Sequence, residues 1–336
     1  MEKIIIYQVL PRLFGNTTEN CVPNGTLKEN GVGKFSDFTP ERLKEIKSLG
    51  TTHIWYTGVI EHATATDYSE YGIKPDNKFI VKGLAGSPYA IKDYYDIDPD
   101  LADDVPLRMK EFEVLINRTH EAGMKVIMDF VPNHVARQYA SDAAPEGTVD
   151  LGGNDNNNWA FSTQNNFYYL PGQNFSPMFA IGEGENHYNE FPAKVTGNDC
   201  FTASPSINDW YETIKLNYGV DYATGWCHFN PIPDTWYKMR DILLFWASKG
   251  IDAFRCDMAE MVPVEFWEWC IAQVQERYSN IIFIAEVYNP NQYYNYVKRG
   301  GFTYLYDKVG LYDTLKDIVR GRHTGAITKW WQSIGD

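Results

Sequence analysis

At 336 residues, 44% apolar and 15% aromatic, the chain holds enough nonpolar material for one large core with an inserted subdomain, which excludes a largely disordered polypeptide. A formal charge of −14 excludes the basic patch that nucleic acid or an anionic membrane surface requires. A neutral, polyhydroxylated ligand suits that charge, and 23 Tyr and 10 Trp supply flat apolar faces with polar edges for sugar rings as well as for the core.

From Met1 the chain runs directly into a strand pattern at residues 4–10, leaving no room for the charged, apolar and cleavage regions of an export signal. The expectation is a chain without a signal peptide, either cytoplasmic or exported with its signal removed, and no 18-residue apolar run suggests a membrane span. A helix follows at residues 40–48, with Thr39 as N-cap, Pro40 in the first helical position and Gly50 beyond its end. Residues 53–57 read as the second strand. After a long loop, Leu107, Phe112, Leu115 and Ile116 share one face of a helix at 106–122 that Gly123 stops. Residues 125–130 are the third strand.

Residues 135–232 change character, becoming rich in Asn, Gly, Pro and aromatics; so long a stretch inside a compact domain reads as an inserted subdomain. The alternation then resumes: helix 234–248, strand 252–255, helix 263–278, strand 281–285, a short helix at 291–299, strand 303–306 and helix 311–320. This β-then-α rhythm predicts an α/β protein with a (β/α)8-type barrel, incomplete at about six βα units. The first part of the barrel is residues 1–134, the inserted subdomain 135–232, and the continuation 233–336, lacking strands seven and eight. An open doubly wound sheet is disfavoured because Pro11-Arg-Leu-Phe14 stands where a glycine-rich turn would follow the first strand. The five cysteines, Cys21, Cys200, Cys227, Cys256 and Cys270, are odd in number and have no paired short spacing, so they read as free thiols.

Parallel barrels place their chemistry on the loops after the strands' C-terminal ends, and three carboxylates stand there in succession: Asp129, Asp257 and Glu286. A single such Asp usually caps a helix; three on consecutive strands point to function. Arg255 lies two residues before Asp257, so strand alternation sends both to the same side, and the guanidinium is expected to keep Asp257 ionised. Glu286 follows five apolar residues, so burial is expected to hold a proton on it. Two carboxyls tuned apart are what glycosidic cleavage needs, although spacing along the chain leaves retention and inversion both open. None of the seven His residues forms the HxH pattern of a metal-dependent barrel hydrolase.

Three ordered motifs carry a resemblance. Asp129-Phe-Val-Pro-Asn-His134, Gly250-Ile-Asp-Ala-Phe-Arg-Cys-Asp257 and Phe283-Ile-Ala-Glu286 resemble the first three short motifs of the α-amylase family, and Ile6-Tyr-Gln-Val-Leu-Pro-Arg12 resembles its opening strand. The resemblance implies a retaining hydrolase of α-1,4-glucosidic bonds in starch or malto-oligosaccharides, with Asp257 as nucleophile and Glu286 as acid/base. It implies further that Arg255 holds Asp257, that Asp129 bonds Arg255, that His134 contacts the sugar and that Tyr89 stacks beneath it. No cofactor is implied for the chemistry, but Asn133 matches a position that often ligates a structural calcium. Related α-glucan transglycosylases, cyclodextrin- or α-1,6-acting enzymes and an inactive glucan-binding fragment remain alternatives. Two departures bear on specificity: Glu260 and Met261 stand where many members have a Lys-His pair, and the fourth motif, Asn-His-Asp, does not occur before Asp336. The expectation is little or no activity from this chain alone unless a second chain or fragment completes the barrel.

Overall fold

The computed structural model describes residues 3–334. Six strands form one sheet whose spatial order is the chain order: β1 (Ile6–Val9), β2 (His53–Tyr56), β3 (Lys125–Phe130), β4 (Ala253–Cys256), β5 (Ile282–Ala285) and β6 (Tyr304–Leu305). Every neighbouring pair is parallel. This is the curl of a (β/α)8 barrel carried through six strands, with β1 and β6 at the edges of the described sheet.

The main helices are α1 (Pro40–Ser48), α2 (Arg108–Glu121), α3 (Asp234–Ser248) and α4 (Val264–Arg277) between strands, and α5 (Asp313–Val319) and α6 (Gly325–Ile334) after β6. α1 starts as its sequence dictates, with the Thr39 hydroxyl accepting the Arg42 N–H and Pro40 in the first turn. Gly50 follows at φ 83°, a backbone conformation that costs a glycine nothing.

Period-two alternation sorts each central strand into two faces. Val126, Met128 and Phe130 of β3, Phe254 and Cys256 of β4, and Phe283 and Ala285 of β5 join the main core beneath the helices. The opposite faces bring Trp55, Ile127, Ala253 and Ile284 into a small inner cluster. Two residues beyond Ile127, Ala253 and Ile284 on that inner face stand Asp129, Arg255 and Glu286.

The structure departs from the sequence reading in three places. The loop expected after β2 contains an antiparallel pair, Ile60–His62 with Ile91–Ile97. Ile91–Ile97 is buried along its whole length yet carries Lys92, Asp93 and Asp96, so the polar–apolar alternation that signals a strand is missing. The helix expected at residues 291–299 is present but irregular: it opens as a tight turn, Pro290–Gln292, continues through Tyr293 and Tyr294, and widens over Asn295–Arg299. α6 was not anticipated; its Trp330 Nε1 donates to Asp307 Oδ2 at 2.8 Å.

The segment after β3 leaves and returns side by side, because His134–Ala136 pairs antiparallel with Thr213–Lys215. Between them Phe175, Ile181, Tyr188, Ala193 and Ala203 form a separate small core with Ile80. All five cysteines are free, Cys256 and Cys270 buried among them. Among the described residues no helix is long and apolar enough to cross a membrane.

Candidate active site

Strand register sets the distance between the two candidate carboxylates. Cys256 pairs with Ala285 across β4 and β5, so Asp257 and Glu286 follow level with each other on adjacent strands, ~4.8 Å apart at the backbone. The ladder continues through them: the Glu286 N–H donates to Cys256 O at 3.1 Å and the Asp257 N–H to Phe130 O at 2.8 Å.

One guanidinium gathers the carboxylates. Arg255 Nη1 donates to Asp257 Oδ1 at 2.8 Å and to Asp129 Oδ1 at 3.0 Å, while Nη2 lies 2.8 Å from Glu286 Oε2. Its Nε donates to the Tyr306 hydroxyl at 2.9 Å. The rings of Trp55, Tyr306 and Tyr89 surround it at 5.1, 5.4 and 5.8 Å from the guanidinium carbon, a low-dielectric cage that strengthens each of these contacts. Trp55 Nε1 donates to the other oxygen of Asp129 at 2.8 Å.

Three buried carboxylates around one cation leave negative charge uncompensated. Burial pushes Asp129 up to about 6 against the pull of Arg255. Asp257 is pushed up to about 7, by burial first and by the charge of Glu286, with Arg255 opposing. The expectation that Arg255 keeps Asp257 ionised is therefore corrected, because the guanidinium is shared among three acids. The apolar setting expected for Glu286 is corrected too. Phe283 and Ala285 alternate away from it, and its oxygens meet donors: the Met258 N–H at 2.8 Å on Oε2, the Tyr288 hydroxyl on Oε1, and Arg255. Met258 holds its N–H in place from a left-handed backbone, φ 43° and ψ 41°, a strained conformation of the kind that clusters at functional sites.

Asp257 and Glu286 face a cleft of about 300 Å³ with Tyr89, His134, Trp210 and Glu212. His134 is buried, which pushes its imidazole down to about 3 and leaves it a neutral hydrogen-bonding group. Its ring lies 5.1 Å from that of Trp210. Glu212 pairs with Lys82 at 3.0 Å across the cleft wall. Trp210 and Glu212 come from the inserted segment and Lys82 from the loop after β2; no periodicity or motif marks them in the sequence. A larger hollow, about 590 Å³, lies beside Arg12, Asn16 and Lys28 and contains none of these carboxylates.

Two further residues singled out by sequence find structural partners. Glu260 Oε2 accepts the N–H groups of Tyr288 and Asn289 at 3.0 and 3.1 Å, so it holds the turn that presents the Tyr288 hydroxyl to Glu286. Asn133 does not fit a calcium. Its Nδ2 donates to Gly197 O at 2.8 Å, and its Oδ1, the oxygen a metal would take, accepts from Lys215 Nζ at 2.7 Å. Lys215 is buried and also meets Asp199 Oδ1 at 2.5 Å, so an ammonium occupies the place of a cation and would repel a second one.

Fold and site together define a (β/α)-barrel protein with its carboxylate cluster at the C-terminal strand ends, where barrel enzymes carry their chemistry. Residues 8–302 match the family description "Alpha amylase, catalytic domain", and the chain belongs to the alpha-amylase family. An alpha-1,4-glucan:maltose-1-phosphate maltosyltransferase of Picrophilus torridus is 22% identical over 283 residues, 82% of this chain and 34% of that protein. An alpha-amylase from Lactobacillus plantarum superposes with a TM-score of 0.58 at 24% identity, covering 99% of this chain and 58% of the other. A cyclic maltosyl-maltose hydrolase from Arthrobacter globiformis superposes at 0.62 and 16% identity, covering 99% and 61%. The chain thus spans about a third of that curated relative and about three-fifths of those solved structures.

Proposed function

We propose that this chain carries the catalytic pocket of a retaining hydrolase of α-1,4-glucosidic bonds, with starch or malto-oligosaccharides as substrate. The observation that carries the reading is the level pair Asp257 and Glu286, each 2.8 Å from a terminal nitrogen of Arg255 and both facing one cleft. That bridge holds both carboxyls at one pocket, and the retaining outcome is taken from membership of the alpha-amylase family.

In the first step an Asp257 oxygen attacks the anomeric carbon. The bond from that carbon to the leaving oxygen breaks, and the proton of Glu286 passes to the leaving oxygen. In the second step Glu286 takes a proton from water, the water oxygen attacks the same carbon and Asp257 departs. Two inversions give net retention. Burial and the charge of Glu286 push Asp257 up to about 7, so near neutral pH the free nucleophile is only partly ionised. Tyr89 offers its ring as a floor for the sugar, and neutral His134 a hydrogen bond to a hydroxyl. Neither step calls on a cofactor.

A transfer reaction uses the same steps with a sugar hydroxyl in place of water, and the likeness to a maltosyltransferase supports it as the second reading. The test is single-turnover trapping with an α-glycosyl fluoride bearing a second, trapping fluorine, read by intact mass and peptide mapping. The expected result is one adduct on Asp257, absent in Asp257→Asn. Maltoheptaose products then separate the readings: shorter chains with retained α configuration mean hydrolysis, longer chains mean transfer. Binding of maltoheptaose without any adduct identifies a glucan-binding fragment and ends the reading of this chain by itself as an enzyme.

A further inference from the structure

A second group of acids lies apart from the cleft. Glu61 in Ile60–His62, Asp93 and Asp96 in Ile91–Ile97, and Asp142 beyond β3 each aim one oxygen so that the four lie within 4.8 Å of one another. Glu61, Asp93 and Asp96 are 2%, 0% and 2% exposed. Acids this close and this dry repel strongly unless positive charge joins them.

The protein supplies only part of that charge. Arg108 Nε donates to both oxygens of Asp96, at 3.0 and 2.9 Å. Lys92, the other buried cation nearby, spends its ammonium on Asp76 at 3.0 Å. Backbone groups orient two members without neutralising them: Asp93 accepts the N–H groups of Tyr95, Asp142 and Ala143, and Asp96 that of Ile97. Glu61 points into the group with its Oε2 buried and without any hydrogen-bond partner. A buried carboxylate oxygen without a donor is a costly arrangement, and it marks a place where a ligand belongs.

The donor set is oxygen only, it carries more negative charge than Arg108 balances, and its oxygens, all within 4.8 Å of one another, are close enough to share one ion with calcium–oxygen contacts of about 2.3–2.6 Å. We propose that Glu61, Asp93, Asp96 and Asp142 bind a calcium-sized divalent cation. Bound there, the cation joins the antiparallel pair after β2 to the segment after β3, so it braces the base of the insertion. Without a cation the same repulsion is met by a proton, since burial and the charges of Asp96 and Asp93 push Glu61 up to about 9. The site is independent of Asn133 and of the glucan reading.

The experiment is calorimetric titration of CaCl2 into the full chain after chelation and dialysis, near neutral pH, paired with thermal melts with and without CaCl2. The expected result is one ion per chain, a higher melting temperature with CaCl2, and binding weakened at least ~10-fold in both Glu61→Gln and Asp142→Asn. Asp142 lies at the open side of the group, so Asp142→Asn reports on binding even if Glu61→Gln folds poorly. MgCl2 should bind more weakly, because the smaller ion dehydrates reluctantly and demands octahedral geometry. Absence of calcium binding by the wild-type chain, or binding that both variants leave unchanged, overturns the proposal.

Discussion

Arg255 and Glu286 form an ion pair, Nη2 to Oε2 at 2.8 Å, on the same guanidinium whose other terminal nitrogen serves Asp257 and Asp129. One planar fork therefore sets the relative position of both candidate catalytic carboxyls. Lysine keeps the charge but offers no fork. In Arg255→Lys the rate of adduct formation on Asp257 should fall by ~10²–10³, the scale seen when one preorganised donor is lost. Stopped-flow release of fluoride checks this, and a rate within threefold of wild type would remove Arg255 from the positioning role.

Asp257 is pushed up to about 7, so its charge appears late on the pH scale. A nucleophile must be ionised, and the trapping rate should therefore rise with pH and level off above about 7. Stability should run the other way. A carboxyl whose folded value lies above its ordinary 3.8 stabilises the fold while protonated, and that contribution is lost as pH climbs through about 7. Asp257→Asn cannot titrate, so between pH about 4 and about 7 the wild-type melting temperature should drop relative to the variant. Melts of the two proteins across that range, compared as a difference, isolate this group from the others.

The Tyr288 hydroxyl donates to Glu286 Oε1, and Glu260 fixes the turn that carries it. Removing the hydroxyl in Tyr288→Phe takes away a charge-assisted hydrogen bond, worth about 1.5–3 kcal/mol. Attack on a glycosyl fluoride needs no proton donor, whereas breakdown of the adduct draws on Glu286 as base in the proposed mechanism. Trapping should change little while the adduct's lifetime lengthens ~10-fold, as read by time-resolved intact mass. Equal slowing of both steps would mean that Tyr288 serves general packing.

Lys215 satisfies Asn133 Oδ1 from a fully enclosed position, and its partner Asp199 is partly exposed. Lys215→Met leaves the Asn133 oxygen without a donor at a cost of about 1–3 kcal/mol. The melting temperature should fall by ~1–2 °C per kcal/mol for a chain of this size. Calcium should not restore it, because the variant offers only the Asn133 amide oxygen and the partly exposed Asp199 carboxylate there, short of the six to eight oxygens the ion takes. Recovery of the lost stability on adding CaCl2 to Lys215→Met would revive Asn133 as a metal ligand.

What the sequence by itself determined is the part of the molecule governed by local periodicity. Apolar runs, caps and the two-residue period of strands are short-range properties, so the six βα units and the family membership were legible. The same alternation placed Asp129, Arg255, Asp257 and Glu286 at the ends of consecutive strands.

Only the tertiary structure decided the charge relations, because electrostatics depends on distance through space. Arg255 and Asp129 are 126 residues apart in the chain yet share a hydrogen bond, and no spacing rule announces that the same guanidinium also reaches Glu286. For the same reason the sequence assigned calcium to Asn133, where folding brings Lys215 from 82 residues away. It also read the charged strand Ile91–Ile97 as loop, because salt bridges and backbone donors, absent from any linear pattern, satisfy its acids inside the fold.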